Sequence, residues 1–243
     1  MFFAIVNLFI KIMHKIFIVI VCLVILFART SNAQVEPDTR RFVNLNNLPT
    51  EASSVSGFVP SGWIIEKQIK GDINFDSKPD VILGLVENDK TPDDERYRAL
   101  LIIVQKEDGK LMRLAVADRL LADFHSGGMK CCSDCENVSI KLSKKGVLTV
   151  YQCLGGADLI TYTHRFRYNV NLKRMELIGI DSENGSPAYQ MTVSSINYLT
   201  HRKIITRIDD KHPKGVTKRG TVSANKKFFI EDIDNEVFQE DGI

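Results

Sequence analysis

Val138-Ser139-Ile140-Lys141-Leu142, set beside Leu100-Leu101-Ile102-Ile103-Val104, decides the fold. The first stretch alternates apolar and polar side chains, the period of a strand with one buried face and one wetted face. The second does not alternate. Five consecutive apolar residues of strand-forming type predict a central strand covered on both faces.

Further β signals surround these two at close spacing, over residues 63–69, 80–86, 98–105, 111–117, 147–153, 160–168, 175–180, 189–195 and 203–208. Each is rich in Val, Ile, Leu, Tyr or Thr and is bounded by Gly, Asn, Asp or Lys. Glu107-Asp108-Gly109-Lys110, Lys144-Lys145-Gly146 and residues 169–173 read as hairpin turns. Helical periodicity is scarce, and residues 117–124 carry its best case, two turns at most. Strand and helix do not alternate as crossover units require. The expectation is a mainly β, antiparallel, meander or sandwich-like single domain with little helix and one Asp-rich calcium-type loop between strands.

Residues 1–33 read as a signal peptide. Lys11 and Lys15 precede the apolar run 16–27, and Ser31 and Ala33 offer small residues for cleavage before Gln34. That run is about a dozen residues, short of the roughly 20 that span a bilayer, so no stable membrane insertion is expected after cleavage. The small residues that precede a lipid-modified cysteine are missing before Cys22. Residues 34–56 read as a polar leader, 57–210 as the β-rich domain, and 211–243 as a polar C-terminal segment with room to pack on the domain. Within that last segment residues 211–219 are basic and turn-rich, the texture of a solvated tail, with a basic contact patch as the sharper alternative. The expected location is exported, either periplasmic or secreted.

Removing Lys11, Lys15 and Arg29 from the 32 basic side chains leaves 29 against 30 acidic ones. A near-neutral chain with both signs interspersed gives no electrostatic case for nucleic acid.

The most distinctive chemistry lies in Gly71-Asp72-Ile73-Asn74-Phe75-Asp76-Ser77-Lys78-Pro79-Asp80. Asp72, Asn74 and Asp76 fall on alternating positions of a tight turn, with Asp80 farther on. With a main-chain carbonyl near Lys78, they could fill most of the oxygen shell of calcium. The stretch resembles the calcium loop of FG-GAP or VCBS repeats, which run Asp-x-Asn-x-Asp-Gly-x-x-Asp into a strand. The resemblance implies a calcium-stabilised turn holding the ion through Asp72, Asn74, Asp76, the Lys78 carbonyl and Asp80. It does not extend to a propeller, which needs several such loops. The family's Gly is Ser77 here, at a position that takes positive φ, a cost on the order of 1 kcal/mol.

Cys131, Cys132, Cys135 and Cys153 follow the signal segment. In an exported chain they read first as disulfide candidates. Neighbouring cysteines fit a disulfide poorly, so Cys153 is expected to bond Cys131, Cys132 or Cys135. Zinc held by His125 with Cys132 and Cys135, plus Cys131 or Cys153, is a second reading. A redox dithiol at Cys132 and Cys135 is a third.

No nucleophile elbow, zinc-protease helix or phosphate-binding glycine loop is present. The function expected is therefore a non-enzymatic exported module, stabilised by calcium, that binds a protein or a glycan at the cell envelope. The alternatives are an exported hydrolase that gathers His164 or His201 with distant carboxylates, and a periplasmic zinc or thiol protein.

Overall fold

A computed structural model of the chain describes residues 43–44, 47–88, 96–124, 126, 131, 137–156, 158–186 and 188–234. The signal-peptide reading of residues 1–33 lies outside these.

The chain folds into two antiparallel sheets. Strands β1 (Glu51–Ala52), β2 (Trp63–Gly71), β3 (Asp80–Glu87), β4 (Arg98–Gln105) and β5 (Leu111–Ala117) form the first, in the order β1-β5-β4-β3-β2. The second is an unbroken meander of β6 (Val138–Leu142), β7 (Val147–Cys153), β8 (Leu159–Asn169), β9 (Arg174–Ser186), β10 (Gln190–Asn197), β11 (Arg202–Asp209) and β12 (His212–Thr221). Among the described residues there is no α-helix.

Side-chain alternation explains the layering. Ile82, Leu100, Ile102, Ala115 and Ala117 of the first sheet meet Ile140, Leu148, Val150, Phe166 and Ile180 of the second in one continuous core. The intervening residues Val81, Leu83, Leu85, Leu101 and Ile103 point to the opposite face of the first sheet, where Val43, Leu48 and Phe58 cover them. Hence every residue of β3 is buried, and β4 is buried up to its last residue. The double coverage expected for 100–104 is what the structure has. Each fully buried Leu or Ile of this kind contributes about 1.5–3 kcal/mol over its exposed state.

Of residues 34–56, read from the sequence as a leader, 43–44 and 47–56 therefore supply the outer layer of the first sheet. Their polar composition conceals two buried anchors, Val43 and Leu48, and a short strand, β1, that pairs with β5. Residues 117–124 form no helix. After Ala117 the chain bends, and Leu120, Leu121 and Ala122 go into the core. Buried Gln152 satisfies the main chain there in place of helical bonds: its Oε1 accepts from Ala122 N at 2.6 Å and its Nε2 donates to Leu120 O at 2.7 Å. The C-terminal segment also differs from a tail. Residues 212–221 are the edge strand β12, after which the chain returns across the sheet, where Leu177 N donates to Phe228 O. Ile230 and Ile233 then close the main core.

Candidate metal centre

Gly71 and Asp80 are paired partners at the ends of β2 and β3, so residues 72–79 are forced into a closed loop. Its side chains turn inward. Asp72 Oδ1 and Asn74 Oδ1 both accept from Asp76 N at 3.1 Å, which brings the two oxygens to one point. Asp72 Oδ2 accepts from Ser77 N at 2.9 Å, and Asp76 Oδ1 accepts from Lys78 N at 2.9 Å. Phe75 and Ser77 have φ of 65° and 66°. Ser77 thus takes the left-handed conformation that favours glycine. The Phe75 ring lies over Gly146 of the β6–β7 turn, where an added Cβ would come within 2.6 Å of Phe75 Cζ.

Asp80 is placed differently. It is fully buried. Its Oδ2 accepts from Ile73 N and Asn74 N at 2.9 and 3.4 Å, and its Oδ1 accepts from Gln105 N at 3.0 Å. Burial raises its pKa above the ordinary carboxylate value, against the pull of those three N–H groups. Asp76 goes the other way. Burial, the largest single influence, raises it, but the Lys78 N–H, the Asn74 amide and the Lys78 ammonium together outweigh burial, so its pKa lies below the usual value. Burial, with the charges of Asp80 and Asp76 added to it, raises the pKa of Tyr168 in β8.

These residues fit a hard cation through their donor set. Among the described residues no three His, Cys, Asp or Glu side chains are grouped for a metal. The loop's inward oxygens are two carboxylates and an amide, from Asp72, Asp76 and Asn74. Each carboxylate has lone pairs beyond those its N–H donors use. Asp72, Asn74, Asp76 and the Lys78 carbonyl are the groups that would hold calcium, and the ion would neutralise the loop's charge. Lys78 Nζ, 3.6 Å from Asp76 Oδ2, supplies part of that neutralisation itself. Asp80 is already committed to tying the loop to β3 and β4.

Cys131 and Cys153 are disulfide-bonded, with S–S 2.04 Å and Cα–Cα 5.6 Å. This is one of the three pairings the sequence left open. It removes both residues as zinc ligands here, while His125, Cys132 and Cys135 lie outside the described residues.

The two histidines that the hydrolase reading offers as alternatives lie in different settings. His164 faces the core at 2% exposure, with Tyr162 and Phe166 ring centroids 5.9 and 6.2 Å away, and burial lowers its pKa to about 4. His201 lies in the β10–β11 turn. The row His164, Ile180, Ile196, Lys203 puts Lys203, two residues beyond His201, three strands from His164, about 14 Å at ordinary strand spacing.

The sequence reading did not single out a second polar cluster. Arg98, buried at the start of β4, grips Glu66 with Nε to Oε2 at 2.8 Å and Nη2 to Oε1 at 2.6 Å. Its Nη1 donates to Ala122 O, Asp123 O and Asn137 Oδ1. Arg96 and Arg98 stack on Phe124 at 3.7 and 4.9 Å. This cluster holds the bend after β5 and the entry to β6 against β2. Its only signal in the sequence was a lone arginine opening a wholly apolar strand.

Fold and loop together define a class, a two-sheet antiparallel sandwich with an Asp-rich corner. No family model, curated protein or solved structure matches the chain.

Proposed function

We propose that this chain is an exported, non-catalytic binding module whose β2–β3 corner is locked by calcium, and which engages a protein or glycan at the cell envelope. The observation that carries the reading is the convergence of Asp72 Oδ1 and Asn74 Oδ1 on one N–H, with Asp76 beside them. Calcium there would stiffen the corner at which Gly71 and Asp80 meet. The disulfide supports an oxidising location. The core placement of His164, between the Tyr162 and Phe166 rings, supports a binding role over hydrolysis through that residue.

The test is the thermal midpoint of residues 34–243 in chelator and in millimolar calcium, beside an Asp72→Ala, Asp76→Ala double variant. A ligand that binds only the folded state raises the midpoint by mass action. A rise that the variant loses is the expected result. An unchanged midpoint removes calcium from the reading.

A further inference from the structure

We infer that the β11–β12 ribbon is the docking surface of this module, and that it takes an extended acidic segment of a partner protein as an added strand on the β12 edge. This rests on the binding-module reading and adds the place and the partner class.

The ribbon is unlike the rest of the sheet. β12 ends the sheet order and, among the described residues, pairs with β11 alone, so one side of a ten-residue strand has no main-chain partner among them. All its residues except Gly215 are exposed. The register places Lys203, Ile205 and Arg207 beside Gly220, Lys218 and Val216 on the face that continues from core residues Ile180 and Ile196. On the other face Ile204 lies beside Arg219. Ile204 and Val216 are 39% and 44% exposed.

Charge selects the partner. Residues 202–221 carry seven Lys and Arg against Asp209 and Asp210, and Asp209 already accepts from His212 N at 2.7 Å. Elsewhere Arg165 reaches Asp181 at 2.5 Å and Arg174 reaches Glu231 at 2.7 Å. On the ribbon Arg202, Arg207, Lys214, Lys218 and Arg219 make no ion pair among the described residues. Two copies of this edge would bring like charges together, which opposes self-pairing. An acidic strand meets the same edge with opposite charge. The open main chain supplies directional hydrogen bonds, and alternate side chains reach Val216. Those directional groups favour a peptide over an anionic polysaccharide, which would use the charges alone.

The experiment uses residues 34–243 and a fluorescein-labelled peptide of alternating Glu and Val, with the Lys/Val peptide and heparin as comparisons. Binding is read by anisotropy, and amide hydrogen exchange is followed over residues 212–221. The acidic peptide is expected to bind, to weaken with salt, and to slow exchange along β12. Lys214→Glu with Lys218→Glu should weaken it by about tenfold or more while leaving the far-UV spectrum intact, since both side chains are exposed. Failure of the acidic peptide to bind overturns the inference. So does heparin binding without slowed exchange, which would make the ribbon a polysaccharide site. If the peptide fails while calcium still raises the midpoint, the docking surface falls and the calcium-locked module stands.

Discussion

Asp80 and Gln105 are 25 residues apart in the chain, and the buried carboxylate of one accepts the main-chain N–H of the other at 3.0 Å. The same carboxylate accepts Ile73 N, so a single side chain fastens the Asp-rich loop to two neighbouring strands. Asp80→Asn puts an amide N–H against a main-chain N–H in a dry site. It is expected to cost about 1–3 kcal/mol. Urea denaturation of the variant measures this, and an Asn variant as stable as the parent would remove the anchoring role.

Gln152 does comparable work for the bend after β5. Gln152→Leu keeps the volume but strands Ala122 N and Leu120 O in the core. The expected loss is about 2–4 kcal/mol for two unsatisfied main-chain groups. Equal midpoints for the two proteins would mean that the bend finds other partners.

His164 predicts a pH dependence. Burial holds its folded pKa near 4, below the unfolded value of 6.5. Above pH 6.5 the ring is neutral in both states and costs nothing. Between pH 6.5 and 4 the unfolded chain takes up a proton that the folded one refuses, so stability falls as pH falls. The loss through this residue reaches about 3 kcal/mol. His164→Phe should flatten the stability curve by one proton over that window. A parent and variant with parallel curves would disprove the assignment.

Ser77 stores a backbone cost that a smaller residue would release. With φ at 66°, Ser77→Gly is expected to stabilise the loop by up to about 1 kcal/mol, offset in part by the greater entropy of unfolded glycine. Gly146→Ala should act oppositely, since its Cβ would meet the Phe75 ring. Calorimetry on the two variants gives both signs.

Replacing Cys131 and Cys153 by Ser opens a cross-link spanning 22 positions. The expected cost is about 3 kcal/mol in guanidinium denaturation. A negligible change would mean that native packing alone holds β7 to the preceding segment.

What the sequence made legible follows from which strands have a buried face. The boundaries of β4, β5, β6 and β7 match those expected, because Leu100 to Val104 and Val138 to Leu142 carry the burial pattern directly. β12 was missed because it buries neither face, so nothing imposes a period of two, and Pro213 and Gly215 imitate turn signals. β9 runs on to Ser186, beyond the apolar stretch that marked it, for the same reason. Residues 117–124 have a helix-like spacing of Leu120, Leu121 and Phe124, but a distant glutamine decides their path. At the loop, the inward Asp72, Asn74 and Asp76 were readable from their spacing. The burial of Asp80 was not, since its partner Gln105 lies 25 residues on, at the far end of the neighbouring strand β4.

The return of the chain from β12 to the main core has a consequence for how the molecule is made. Nearly every strand pairs with its sequence neighbour, so the hairpins can zip together in the order in which they emerge. The core they enclose stays open, because Ile230 and Ile233, the last of the described side chains to join it, arrive after the twelve described strands. A chain emerging from a ribosome therefore reaches its final packing only once residues 230–233 are free to fold back.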